Sequence, residues 1–93
     1  MTPDVIINAV CQVYEVSALA LRGPSRRQWI VEARMAAIVL LRESGMSLHN
    51  CGRVLRRDHS SILHLEIKAV TQANAPQYAA RLARVRDRLQ VTA

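Results

Sequence analysis

The stretch Arg56-Arg57-Asp58-His59-Ser60-Ser61-Ile62-Leu63-His64 gathers two guanidiniums, a carboxylate, an imidazole and two hydroxyls within six consecutive positions. Two chemistries could use such a set: acid–base catalysis, or hydrogen bonding to the edges of nucleic-acid bases. Asp58-His59-Ser60 imitates the letters of a catalytic triad, but contiguous residues on one helical turn diverge and cannot align nucleophile, base and orienting acid. No enzyme is expected. Read as a helix start, the same residues fit together. Asp58 is a good N-cap, because its carboxylate can accept from the free N–H groups of the next turn, so the helix begins at His59. Residues at the N-terminal end of a recognition helix reach base edges in a major groove, and His59, Ser60 and Ser61 are short polar groups suited to it. Asp58 could accept from a cytosine amino group, while Arg56 and Arg57 stand where they can hold phosphates. Ile62, Ile67 and Val70 are assigned to a packing side, with Ser60, Ser61, His64, Lys68 and Thr71 on a free side.

The rest of the chain supplies elements to position this helix. Thr2 before Pro3 is a cap-and-first-turn pair for a helix over 3–14. Ser17 can cap a short second helix to about Arg22, ended by Gly23-Pro24. Gly23-Pro24-Ser25-Arg26-Arg27 then forms a basic loop. A long helix follows, roughly Arg26 to Ser44, with Trp29, Ile30, Ala33, Ala37, Leu40 and Leu41 inward and Gly45 as its stop. Ser47 starts a helix to Leu55. In it Gly52 costs stability and is best explained by close approach of the recognition helix, which runs to about Ala73. After Asn74-Ala75-Pro76, Tyr78, Leu82, Val85 and Leu89 repeat at heptad-like spacing. They read first as closing the domain's own core; the other reading is a seam for a partner helix, in a protein-interaction module. Arg81, Arg84 and Arg88 could then add phosphate contacts. The fold class is all-α, with five to six helices, a central helix-turn-helix and an extra C-terminal helix.

Composition bounds the function. With 93 residues and 51% apolar content the chain makes one small domain, 1–93, able to build a helical core. Asp4 and Glu15 make the first 21 residues acidic, whereas 22–68 carry nine basic and four acidic groups, and Arg81 to Arg88 four against one. A net +6 distributed in this way suits a nucleic-acid partner, because neutralising phosphates releases condensed counterions. Cys11 and Cys51 fall on apolar-facing positions without a CxxC pair or a signal peptide, which points to a reduced, cytoplasmic setting. The longest apolar run, Ala36 to Leu41, is far short of a bilayer span, so no membrane role is expected. His49, Cys51, His59 and His64 lack zinc-finger spacing, so no metal is expected. No Walker-type glycine-rich loop is present, and neither a nucleotide nor another cofactor is expected.

Three motifs in order carry a family resemblance: Arg57-Asp58-His59-Ser60-Ser61-Ile62-Leu63-His64, Ala33-Arg34-Met35-Ala36, and Ser47-Leu48 followed by Gly52. The chain resembles the C-terminal DNA-binding domain of the bacterial replication initiator DnaA, over roughly residues 5–70, leaving 76–90 as an additional helix. That domain carries Arg-Asp-His-Thr-Thr-Val-x-His, Ala-Arg-Gln-x-Ala and Ser-Leu-Pro-x-Ile-Gly. The resemblance implies a Trp-repressor-like helix-turn-helix on double-stranded DNA. It also implies an arginine from the basic loop in the minor groove, which counting back from Arg34 places at Arg26, with Arg27 as the other candidate. Arginine suits a narrow A·T-rich minor groove. It further implies Arg34 on a phosphate or nearby base, Lys68 on a phosphate, and Leu63 either against a thymine methyl or in the core. His64 is expected to be structural, bonding the preceding backbone. Departures are a shorter, more basic turn (Leu55-Arg56-Arg57 for Phe-Gly-Gly-Arg), His49 for proline and Met35 for glutamine, which leave room for a site other than the standard DnaA box.

The expected function is therefore sequence-specific double-stranded DNA binding by a bacterial, nucleoid-associated transcriptional regulator of phage or phage-derived type, such as a gene-transfer-agent regulator, or by the module of one. The alternative is replication control at DnaA-box-like sites. Transcription or replication proteins are further candidate partners, through the C-terminal helix.

Overall fold

Thr2, Ser17, Ser47 and Asp58 each hold extended backbone, with ψ of 155°, 156°, 160° and 161°. Each accepts, through its side-chain oxygen, the N–H three residues on, at Val5, Ala20, Asn50 and Ser61. Short oxygen-bearing side chains thus satisfy one otherwise orphaned donor at the start of four helices. In the computed structural model, which describes residues 2–92 and the side chains of 2–90, the helices are α1 (Pro3–Tyr14), α2 (Ala18–Arg22), α3 (Gln28–Glu43), α4 (Leu48–Leu55), α5 (His59–Thr71) and α6 (Pro76–Thr92). No strand occurs among the described residues.

α3 is the centre of the fold and packs against α1, α2, α4 and α5, while α6 lies on α1. One continuous set of buried side chains joins Ile6, Val10 and Tyr14 of α1, Leu21 of α2, Met35, Ile38 and Leu41 of α3, Cys51 and Leu55 of α4, Ile62 of α5 and Val85 of α6. Each large apolar side chain so buried contributes about 1.5–3 kcal/mol. α3 starts two residues later than expected. Arg27 at its cap is extended (ψ 132°) and makes no side-chain cap bond.

Two sequence expectations about packing fail. Ile67 and Val70 are 58% and 73% exposed; α5 is inserted instead by Ile62 and Ala69, with Leu65 half-buried. At about 100° per residue, Ile67 sits well over a quarter-turn from Ile62, so the three residues first assigned to one side do not share a face. Trp29 is not inward either. It lies 42% exposed at the edge of the core, its ring 5.3 Å from that of Tyr14 and its indole N–H donating to the Tyr14 carbonyl at 2.7 Å.

The heptad-like residues of α6 turn onto the body: Tyr78, Val85 and Leu89 are buried and Leu82 is half-buried. Arg81 reinforces the seating with two bonds to Glu32, at 2.6 and 2.9 Å, while its guanidinium stacks 4.9 Å from the Trp29 ring. Arg86 pairs with Glu43 and Arg88 donates to Gln12. Of the tail arginines expected on phosphates, Arg81 and Arg88 are thus engaged by the protein, and Arg84 is exposed.

Candidate nucleic-acid interface

α4 and α5 form a helix-turn-helix joined by Arg56, Arg57 and Asp58. The turn depends on two backbone features. Arg56 caps α4 in the left-handed region (φ 56°), and its N–H returns to the Gly52 carbonyl. The Arg57 N–H bonds the same carbonyl at 2.8 Å. A Cβ on Gly52 would lie 2.4 Å from the Arg57 carbonyl oxygen. The close approach read into Gly52 therefore exists, but the neighbour is the turn one residue before the cap rather than the recognition helix itself.

Asp58 then opens α5, its carboxylate accepting from the Ser61 N–H at 2.7 Å. That backbone bond, seconded by the Ser61 hydroxyl, holds the Asp58 carboxyl below the usual range, so it stays ionised as cap and acceptor. His59, Ser60, Ser61 and Leu63 are all exposed, Leu63 by 43%. Between the core and the outward position weighed for Leu63, the structure takes the outward one. Lys68 and Thr71 are exposed one and two turns further along. His64 is exposed too and makes no bond to the preceding backbone, contrary to its expected structural role. The His59 ring lies 5.3 Å from that of His49 on α4. These two rings, with Arg53, Arg56 and Asp58, line a cleft of about 440 Å³ outside the turn. Arg53 was not singled out from sequence, and His49 was noted there only as a departure from the family's proline and as part of the rejected zinc set. The signal for Arg53 was its place three residues before Arg56, one helical turn away on the same edge.

The basic loop keeps Arg26 and Arg27 exposed. What shapes it is Arg34, only 3% exposed. Its Nε donates to the Leu21 carbonyl at 2.8 Å, and its terminal nitrogens to those of Ser25 (2.5 Å), Gly23 (2.7 Å) and Ala20 (3.3 Å). Ala20 and Leu21 are in the last turn of α2, where carbonyls lack helical partners and a cation is favoured. The expected phosphate or base contact of Arg34 is therefore corrected: its donors are spent on backbone. Arg57 is half-buried and likewise turned inward, onto the carbonyls of Gly23 (2.5 Å) and Leu55 (3.0 Å). The bonds it makes here are to backbone, and its assignment to a phosphate stays an expectation. Burial lowers the basicity of both groups, and Arg34 feels the Arg57 charge as well. Arg56 and Lys68 remain exposed from the set expected on phosphates.

An all-helical fold whose second helix-turn-helix element presents an exposed, capped N-terminus beside a basic loop defines the class of helix-turn-helix DNA-binding domains. The family model described as "Bacterial dnaA protein helix-turn-helix" matches residues 3–69. The chain belongs to that family. It is 47% identical over 66 residues to the chromosomal replication initiator protein DnaA of Thermomicrobium roseum, covering 69% of this chain and 14% of that protein. It is 33% identical to the DnaA of Gloeobacter violaceus, across 100% of this chain and 22% of that one. The chain thus spans less than a quarter of the length of these relatives. Membership supports DNA binding. No helix among the described residues is long and apolar enough to cross a membrane.

Proposed function

We propose that the chain binds double-stranded DNA sequence-specifically, with the start of α5 in a major groove and the 23–27 loop at the adjoining minor groove. In this reading Asp58, His59, Ser60, Ser61 and Leu63 read base edges, Arg26 or Arg27 enters the minor groove, and Arg53, Arg56 and Lys68 hold phosphates. One observation carries it. The Arg57 guanidinium, one residue before the α5 cap, bonds Gly23 at the root of the loop, so both reading elements adjoin each other. The 93 residues hold no Walker-type loop, so what they contribute is recognition rather than nucleotide hydrolysis. The first reading of that recognition is a transcriptional regulator of phage or phage-derived type, or the module of one. Replication control at DnaA-box-like sites is the second reading, favoured by the initiators it is similar to.

Fluorescence anisotropy against a DnaA-box duplex and a shuffled control, at two salt concentrations, tests the proposal. A preference of about a hundredfold or more supports specific readout of a DnaA-like site. Equal, salt-sensitive binding to both sends the search to selection from random duplexes, and no binding to any duplex refutes the proposal. His59→Ala is expected to remove sequence preference, whereas Lys68→Ala weakens all duplexes alike.

A further inference from the structure

We infer that Arg57 is a positioning residue that registers the basic loop against the start of α5, so that the two meet DNA as one rigid surface. The inference rests on the DNA-binding reading above. Residues 23–27 have little else to hold them in place. None is buried, and the side-chain bond made within the loop runs from the Arg27 N–H to the Ser25 hydroxyl at 3.3 Å. The loop is instead shaped around guanidiniums through its own carbonyls. Arg34 draws in those of Gly23 and Ser25 from the α3 side. Arg57 takes the Gly23 carbonyl from the side of the turn. Arg22, just before the loop, donates through Nε to the Val54 carbonyl of α4 at 2.8 Å.

Of these three, Arg57 is the one whose backbone adjoins the reading helix. It is followed directly by the Asp58 cap, and its carbonyl rests where a side chain on Gly52 would have stood. One planar guanidinium therefore spans Leu55, inside the helix-turn-helix, and Gly23, in the loop. A fork of fixed geometry transmits orientation as well as attachment, which the point charge of a lysine does not. Loss of about half an ångström in that register is enough to misplace a groove-inserted arginine, since a narrow minor groove admits the side chain along one path.

The test is a double-mutant cycle on the full chain, using a labelled duplex carrying the DnaA box or the site returned by selection. In the wild type, Arg26→Ala with Arg27→Ala is expected to weaken binding about tenfold or more, the worth of a groove contact. In Arg57→Lys and Arg57→Ala backgrounds the same pair of changes should cost less than about twofold. His59→Ala should cost the same factor in every background, which a merely destabilised fold would not preserve. Circular dichroism sets a temperature at which each variant is folded. Arg57→Lys, which keeps charge and most of the length, decides the matter if Arg57→Ala does not fold. An undiminished loop penalty overturns the inference, as does a joint decline of the loop and His59 penalties, which would place Arg57 in support of the helix start instead. If the wild type binds no duplex, the DNA-binding reading itself fails and the inference with it.

Discussion

Arg34→Met keeps the apolar stem of the side chain and removes every donor, which makes it a sharp test of the interior role assigned to this arginine. Four bonds are lost, to Leu21, Gly23, Ser25 and Ala20. The Gly23 carbonyl keeps Arg57, and the Ala20 carbonyl keeps the Gly23 N–H at 3.2 Å. Two carbonyls, those of Leu21 and Ser25, lose their guanidinium partner. The buried Leu21 carbonyl, left unsatisfied, costs about 1–3 kcal/mol, and the part-buried Ser25 carbonyl, which water can reach, adds about 1 kcal/mol. Removing a desolvated cation and its repulsion with Arg57 offsets part of that, leaving a net loss of about 2 kcal/mol. For a domain of this size 1 kcal/mol moves Tm by about 4–8 °C, so calorimetry should show a fall of about 8–16 °C. A fall below about 4 °C refutes the reasoning. A second arm needs DNA. With the variant held below its melting range, the slope of log K against log salt should match the wild type, whereas a phosphate ligand lost from the surface reduces it by about 0.9.

Further outcomes follow from other contacts. Gly52→Ala in an ordinary helix gains about 1 kcal/mol, but the overlap with the Arg57 carbonyl should turn it into a loss of about 1–3 kcal/mol, and a raised denaturation midpoint would show that the turn moves freely. Arg81→Ala removes the pair with Glu32 and the stack on Trp29; a loss of about 1–2 kcal/mol and a red shift in the emission of this single tryptophan are expected, and unchanged emission contradicts the seating of α6. The carboxyls of Glu32 and Glu43 are held below their ordinary value, first by bonds from Arg81 and Arg86 respectively. Depressed folded pKa values mean that the contribution is present above the unfolded value near 4.3 and lost as pH falls through the lower folded one. Thermal melts from pH 7 to 3 should be flat to about pH 5 and then decline, less steeply in Glu32→Gln, and equal acid sensitivity in both proteins would count against the pairing.

The starts of α1, α2, α4 and α5 were legible because each rests on a local rule: a hydroxyl or carboxylate accepting the N–H three residues on needs no tertiary information. The recognition helix was found at Asp58 and His59 for that reason. Its packing face was not, since Ile67 and Val70 are as apolar as Ile62, and only the geometry of α3 decides which side of α5 is covered. The exposed stripe of Leu63, Ile67 and Val70 also shows why apolar character is a one-way guide to burial. Of the candidate site, the exposure of His59, Ser60 and Ser61 at the start of α5 was legible, since it follows from the cap at Asp58. The site was illegible where the partner is backbone: nothing in the letters of Arg34 announces that α2 ends with carbonyls in need of a donor. Arg34 and Arg57 belong to the very motifs that mark the family, yet the bonds they make in the structure run to backbone carbonyls.

That division changes what the charge of the chain means. Thirteen basic residues give a net +6; Arg88 donates to Gln12, and the other twelve stand in three settings. Arg22, Arg34 and Arg57 are spent on backbone carbonyls, Arg42, Arg81 and Arg86 on Glu66, Glu32 and Glu43, and Arg26, Arg27, Arg53, Arg56, Lys68 and Arg84 are exposed to solvent. Charges paired with glutamate are locally cancelled. Those on carbonyls are not, because a carbonyl supplies a dipole and leaves the unit charge intact. Three uncancelled cations thus sit around the base of the loop and the turn. On the proposed binding mode they are expected to raise the local potential and favour the approach of DNA. Two measurements separate the roles: cations that steer govern the association rate, and cations that touch phosphate govern how steeply affinity falls with salt. On the proposed binding mode the interior arginines are expected to alter the association rate alone, and the exposed ones both the rate and the salt dependence.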